Sequence, residues 1–298
     1  MNKCFKKNEI IIQYNGGLGN QMFQFAMGCN FEMKEKEVKH ALFYYEETPD
    51  AMPFVLDEVF PNINLKKADS DTTKEIMYDN IDRSLKTKIM NKVFPSTIRY
   101  YCEGKELCYD ARVLKLNSAV LSGYWQSYKY VQRAESLIKK YYEFPKIEDD
   151  KINKLVNQMR SDNSVSVHIR AGDYLKAENS EIFGGICTLE YYKSAIEQIQ
   201  KKIDNPIFFI FSNDIDWCKR NIPLKNVVWM DKTVLPEHKD WIEMYLMSCC
   251  KNNIIANSSF SWWAAWLNKN KQKIVIAPKV WMKHIKNDEI CPPEWIRI

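Results

Sequence analysis

The residues best equipped for chemistry in this chain stand in the run His168-Ile169-Arg170-Ala171-Gly172-Asp173-Tyr174. An imidazole, a guanidinium and a carboxylate follow directly on an alternating segment, Ser164 to Val167, that predicts a strand. In open parallel sheets, ligands sit at the carboxyl ends of strands. A guanidinium placed there forks onto a phosphate through two parallel charge-assisted hydrogen bonds. The run therefore suits a diphosphate. His168 and Arg170 alternate with Val167 and Ile169, so they share one face of the strand. A plainer reading stays open, in which Arg170 and Asp173 form an ion pair that stiffens the turn and His168 is a satisfied core histidine.

Three further polar stretches sit where a strand gives way to a helix. In Asn15-Gly16-Gly17-Leu18-Gly19-Asn20-Gln21 the glycines allow close backbone approach, and the following helix start offers N–H groups to an anion. The stretch lacks the Gly-Lys-Ser/Thr ending of a P-loop and is not GxGxxG, so a simple tight turn is equally open. Ser212, Asn213 and Asp214 end the apolar run Ile207 to Phe211; they suit nucleotide hydroxyls, ring nitrogens or phosphate, or they cap the next helix. Ser258, Ser259, Phe260 and Ser261, in Asn257-Ser258-Ser259-Phe260-Ser261-Trp262-Trp263, make a second anion-binding helix start. Trp262, Trp263 and Trp266 read as core rather than as sugar platforms. Asp214-Ile215-Asp216 and Asp69-Ser70-Asp71 resemble a two-carboxylate element for a divalent cation. Such a pair needs water and phosphate oxygens to complete an octahedral site, and no residue is assigned to a metal.

The elements that must position these residues alternate cleanly in the second half. Strands are predicted at 164–170, 207–211, 226–230, 254–256 and 273–277, with helices at 188–203, 239–250 and 261–268. That order means a parallel sheet covered on both faces. The first half opens alike, with a strand at 9–14, the Gly-rich turn and a helix at 21–31. Residues 45–118 yield no order. A strand at 119–123, an aromatic turn through Tyr124, Trp125, Gln126 and Tyr128, and a helix at 131–142 follow, with a linker at 144–150. The expected fold is α/β, with two Rossmann-like domains, 1–145 and 146–298, facing each other across a cleft that holds one diphosphate-bearing ligand.

Bulk properties bound the function. The chain has 298 residues, 46% hydrophobic and 27% charged, as an ordinary soluble globular protein does. The apolar part of Met1 to Ile12 is too short for a signal peptide and is interrupted by Glu9. No run approaches the roughly 20 apolar residues of a membrane span. The net charge of +5 arises from dispersed lysines, which argues against nucleic acid and leaves loose contact with an anionic membrane surface open. Nine cysteines without a CxxC pair point to reduced thiols in the cytoplasm, with Cys249 and Cys250 as buried small hydrophobes.

GGLGNQMFQFA, HIRAGDY, FSND and NSSFSWWAAWL, in this order, resemble the motifs of the glycosyltransferase family 11 α-1,2-fucosyltransferases of bacteria. Gly123 to Ser127 and Cys187 to Tyr192 add to the resemblance, which runs from about residue 10 to 280. It implies a GT-B architecture and inverting transfer of L-fucose from GDP-β-L-fucose, with no metal or other cofactor. The acceptor implied is the 2-hydroxyl of a terminal galactose on an oligosaccharide or lipid-linked glycan, at the inner face of the membrane. Related motif sets occur in α-1,6- and protein O-fucosyltransferases, so the donor is implied ahead of the linkage.

Carried onto this sequence, Arg170 would hold the diphosphate and stabilise the leaving group, and His168 would support that site or the fucose. Gly17, Gly19 and Asn20 would reach the donor from the N-terminal domain. Ser212, Asn213, Asp214, Ser258, Ser259, Phe260 and Ser261 would line the nucleotide pocket. The acceptor would approach by Tyr124, Trp125 and Gln126. Asp173 is the nearest carboxylate for deprotonating the acceptor, or the one that orients Arg170. One departure stands out: the family often carries a second arginine where this chain has Ala171. A charge-assisted hydrogen bond contributes roughly 1.5–3 kcal/mol, so its loss would slow transfer without abolishing it. The rivals are a metal-dependent glycosyltransferase using a DxD element, a non-catalytic sugar-nucleotide or glycan-binding protein on the same fold, and a dehydrogenase, which lacks its fingerprint.

Overall fold

A computed structural model describes residues 8–79, 99–161, 163–170, 181–182, 184–235, 238–285 and 288–298. The chain divides into two compact units, Met1–Pro145 and Lys146–Ile298.

The first unit is built on β1 (Glu9–Gln13), whose Ile10, Ile11 and Ile12 are all buried, as in parallel strands covered on both faces. It leads into α1 (Leu18–Glu32), in which only Asn20 and Glu32 escape burial. A helix buried all round belongs inside a domain, and its buried polar side chains Gln21, Gln24 and Asn30 all have hydrogen-bond partners. Then follow β2 (Glu37–Ala41), α2 (Phe43–Glu47), α3 (Leu56–Val59), α4 (Ser70–Asp79), β3 (Tyr100–Cys102), β4 (Ala119–Ser122), α5 (Tyr128–Arg133) and α6 (Glu135–Tyr141). The sheet order is β2-β1-β4-β3, every pair parallel.

The second unit carries α7 (Asp150–Ser161), β5 (Ser164–Ile169), α8 (Leu189–Gln200), β6 (Ile207–Ser212), α9 (Ile215–Asn221), β7 (Val227–Trp229), α10 (Trp241–Cys249), β8 (Asn252–Ile254), α11 (Ser259–Leu267), β9 (Val275–Ala277) and β10 (Ile296–Arg297). Its sheet runs β10-β9-β8-β5-β6-β7, again wholly parallel. Val165, Val167, Phe208, Ile210 and Ile254 meet Tyr191, Tyr192 and Ile196 of α8 in one core. The polar strand residue Ser166 is accommodated because its hydroxyl accepts from Asn253 Nδ2 at 2.7 Å.

Several elements differ from expectation. The single helix over 131–142 is two, broken at Ala134, whose backbone leaves the helical region while its N–H closes a short turn onto Val131. The segment expected as a linker ends in α7, capped by Asp149 Oδ1, which accepts the N–H groups of Lys151 and Ile152 at 2.8 and 3.1 Å. Strands β2 and β3, short and only half-buried, carry no apolar pattern that would predict them. Cys249 and Cys250 are buried thiols, and all described cysteines are free. Among the described residues no helix is long and apolar enough to cross a membrane.

Candidate active site

In the C-terminal unit, β5 and β6 pair in parallel with Ile169 opposite Ser212, and β8 flanks β5 on the other side. The carboxyl ends of all three strands therefore open on one edge of the sheet. His168 and Arg170, the Ser212–Asp214 turn and the Asn257–Ser261 turn all stand at that edge. The His168 ring lies 6.1 Å from that of Phe260, and its carbonyl accepts the Tyr192 hydroxyl at 3.2 Å.

Burial, reinforced by the charge of Arg170, pushes the His168 imidazole down to about 3. It is a neutral ring at working pH and supplies no positive charge. Its buried Nδ1 has no hydrogen-bond partner among the described residues. An unmet buried polar atom is costly.

Ser212 Oγ accepts the Asp214 N–H at 3.1 Å, and Asp214 Oδ1 accepts the Trp217 N–H at 2.8 Å. Asp214 thus caps α9, and Asn213 is exposed between them. The other two-carboxylate pattern is used alike: Asp69 Oδ1 accepts the N–H of Thr72 at 2.8 Å and also its hydroxyl. Among the described residues no three His, Cys, Asp or Glu side chains gather as a metal site.

Asn257 is fixed by Cys187 Sγ, which donates to Oδ1 at 3.3 Å, and by its own Nδ2, which donates to the Trp281 carbonyl at 3.1 Å. Ser258 occupies the cap position of α11 without bonding its side chain to that helix. Its carbonyl accepts from Trp262 N and Ser261 Oγ. Trp262 and Trp263 are fully buried core residues and Trp266 packs on Trp263, rings 5.3 Å apart. Asp173 and Ala171 lie outside the described residues.

In the N-terminal unit the Gly-rich turn is wired from beneath by two buried glutamines of α1. Gln24 Nε2 donates to Asn15 Oδ1 and to the Gly123 carbonyl, both at 3.1 Å, while its Oε1 accepts the Asn15 N–H. Gln21 Nε2 donates to the Gly16 and Pro53 carbonyls, and its Oε1 accepts the Val55 N–H. Gly16 has φ +74°, and a Cβ there would stand 2.5 Å from Asn20 Nδ2. Gly17 caps α1 through its carbonyl, which accepts from Asn20 N and Gln21 N at 2.9 and 3.1 Å; Gly19 is buried inside the helix. Asn20 Oδ1 accepts Gln126 Nε2 at 2.9 Å.

A model of the family described as Glycosyl transferase family 11 matches residues 2–298. The chain belongs to this family. An α-1,2-colitosyltransferase of Escherichia coli is 31% identical over 299 residues, spanning 97% of this chain and 98% of its own length. Galactoside α-(1,2)-fucosyltransferase 1 of Saimiri sciureus is 26% identical over 138 residues, covering 45% of this chain and 38% of its own. The crystal structure of NodZ α-1,6-fucosyltransferase co-crystallised with GDP superposes with a TM-score of 0.51 at 15% identity, over 88% of this chain and 93% of that one. This family 11 glycosyltransferase has the two-unit GT-B type of fold, each unit built on a parallel sheet.

Two features of this family 11 chain escape sequence reasoning. Trp125, expected to meet an acceptor, is only 1% exposed and is a core residue; Tyr124 is exposed and Gln126 buried. Glu103, unmarked by any motif, follows β3 and turns its carboxylate inward. Its Oε2 accepts the N–H groups of Tyr124 and Trp125 at 2.7 and 3.0 Å. Burial pushes its carboxyl up to about 7 against the opposing pull of those two bonds.

Proposed function

We propose that this chain transfers L-fucose from GDP-β-L-fucose, with inversion and without a metal, to the 2-hydroxyl of a terminal galactose on a glycan. The observation that carries this reading is Arg170 directly after β5, two residues from a neutral histidine whose buried Nδ1 has no hydrogen-bond partner among the described residues and whose ring lies 6.1 Å from that of Phe260 at the start of α11.

Transfer needs the acceptor oxygen to attack the anomeric carbon while the bond to the β-phosphate oxygen breaks. The electron pair leaves with GDP, and the acceptor proton passes to a base. Negative charge builds on the diphosphate, and fixed donors aimed at it lower the barrier. Arg170 supplies the cation. Ser258 and Ser259, with the α11 N–H groups, cradle phosphate oxygens, with Phe260 beside them, while Ser261, fully buried, bonds back to the Ser258 carbonyl and holds the turn. Ser212 and Asn213 meet the nucleotide, Asp214 holding their turn as the α9 cap. Neutral His168, buried beside Arg170, supports the site without competing with that guanidinium for charge. Asp173 takes the acceptor proton or orients Arg170. In the N-terminal unit, the turn of Gly17, Gly19 and Asn20 takes part in holding substrate.

A second reading has a specific observation behind it: the full-length Escherichia coli relative named for colitose. Colitose is L-fucose without its 3-hydroxyl, so one binding mode would accept either. A site built to bond that hydroxyl rejects the deoxy sugar strongly, whereas an apolar one discriminates weakly. Incubation with GDP-fucose and with GDP-colitose, each with galactose-terminated oligosaccharides, decides between them by product mass. Transfer from neither, with GDP still bound, would leave a non-catalytic binding protein and defeat the proposal. A lipid-linked acceptor would bring the chain to the inner membrane face, where a charge of +5 favours anionic headgroups; co-sedimentation with anionic vesicles at low and high salt tests that contact.

A further inference from the structure

Glu103 stands at the end of β3, where its N–H bonds the Ser122 carbonyl at 2.8 Å and closes the β3–β4 ladder. Across that ladder the chain turns sharply through Gly123 and Trp125. Trp125 has φ +57°, a conformation that is costly for a non-glycine residue and persists only where surroundings enforce it. Successive N–H groups around such a residue form a concave anion cradle. Here the cradle is filled from within the fold, by Glu103 Oε2. The approach is so close that a Cβ on Gly123 would stand 2.5 Å from Glu103 Cβ and 2.7 Å from Oε2.

Two buried polar atoms flank the same glycine without hydrogen-bond partners among the described residues: Glu103 Oε1 and Trp125 Nε1. Glu103 has no ion pair among the described residues. The groups that feel its charge are the phenols of Tyr101 on β3, Tyr124 in the turn and Tyr130 on α5. Beyond Tyr101 stand Asp110, which accepts its hydroxyl, and Arg112, which pairs with Asp110. The turn delivers Gln126, whose amide holds Asn20, and Gly123, whose carbonyl takes Gln24.

We propose that Glu103 is a positioning residue for transfer: its carboxylate, seated on the Tyr124 and Trp125 amides, clamps the turn that aligns Gln126 and Asn20. The ionised form grips those amides more strongly than the neutral acid does, since hydrogen bonds to a charged acceptor are about twice as strong as those to a neutral one. With its titration centred about 7, the clamp tightens as pH rises through neutrality. The consequence for activity rests on the transferase reading; the clamp itself does not.

Two measurements on the full chain separate the two. The first is tryptophan fluorescence against pH for the wild type and for Glu103→Gln. The wild type should show a transition near neutrality that the variant lacks, because the Trp125 indole stands beside the titrating group. Coincident curves for the two proteins would overturn the proposal whatever the chain transfers. The second is the pH dependence of transfer. Wild-type kcat/KM should climb through neutrality, and Glu103→Gln should lose that limb and fall roughly five- to tenfold above it. The loss should appear in acceptor KM, through the Tyr124–Gln126 turn, and in GDP-fucose KM, through Asn20. Glu103→Asp, which keeps the charge, should retain the pH-dependent limb, and it serves if the glutamine variant does not fold. An identical limb in Glu103→Gln would assign the pH dependence elsewhere and refute the clamp's role. Absence of transfer in the wild type, beside an intact fluorescence transition, would sink the donor assignment and spare the clamp.

Discussion

Gln126 Nε2 donates to Asn20 Oδ1 at 2.9 Å, joining two strand-end turns that lie 106 residues apart in sequence. One turn follows β1, the other β4, and these strands are neighbours in the sheet. The bond converts two loops into one surface. If it positions substrate, Asn20→Ala and Gln126→Ala should each lower kcat/KM, and the double variant should cost less than the sum by about 1 kcal/mol. Additive losses in a double-mutant cycle would mean that the two side chains act separately.

Arg170 should be the most sensitive position for chemistry. Removing one preorganised donor to developing charge costs about 10²–10³ in kcat, so Arg170→Ala should lose at least that much. Arg170→Lys should recover little, because a point charge cannot replace a planar fork. Steady-state kinetics with calorimetric GDP titration checks both. A lysine variant near wild-type rate would argue against a bidentate diphosphate contact.

Asp214 and Asp216 should behave as structural residues. Asp214→Ala removes the α9 cap and should destabilise by about 1 kcal/mol, and transfer should survive EDTA. Activity lost on chelation and restored by a divalent cation would return the two-carboxylate reading to favour.

Glu103 also gives a stability prediction of definite sign. Its folded pKa, about 7, lies above the ordinary 4.5. The stabilisation it brings is therefore complete below about pH 4.5 and is lost as pH rises through about 7. By about pH 8 the buried charge costs of order 3 kcal/mol, which Glu103→Gln avoids. The urea midpoint of the glutamine variant should exceed that of the wild type at about pH 8, and the gap should close towards about pH 4.5. A constant gap would contradict the buried titration.

His168 acts in the opposite sense. Its folded pKa, about 3, lies below the ordinary 6.5, so its contribution is present above about pH 6.5 and is lost as pH falls towards 3. At about pH 5 the deficit is about 2 kcal/mol. His168→Asn should show a correspondingly smaller drop in urea midpoint between about pH 7.5 and 5. An unchanged drop would place the acid sensitivity in other groups.

Sequence patterns foretold the C-terminal unit well, because runs such as Ile207–Phe211 alternate with helical stretches and end in short polar residues. The strand ends carrying His168, Ser212 and Ser258 could be placed for that reason. β2, and β3 within the region 45–118, resist sequence reading because they are short and half-buried, with Glu37, Lys39 and Tyr100 where an apolar pattern would be expected. α7 is readable, since Ile152, Val156 and Met159 keep a helical spacing, and only its first residue, Asp150, falls in the segment expected as a linker. Glu103 was illegible in principle. It sits in the charged string Glu103-Gly104-Lys105-Glu106, and its burial is created by Gly123 and Trp125, which reach it only once β3 and β4 pair.

Glutamines 21 and 24 give α1 a role beyond filling the interior. Between them they satisfy backbone or side-chain groups of Asn15, Gly16, Pro53, Val55 and Gly123, which belong to three separate loops. Loops anchored to one shared rod are not interchangeable parts. Exchanging the segment around Pro53 or the Gly123–Ser127 turn with a relative's, to redirect what the enzyme decorates, should yield working chimeras only when both amides on α1 find matching partners in the graft.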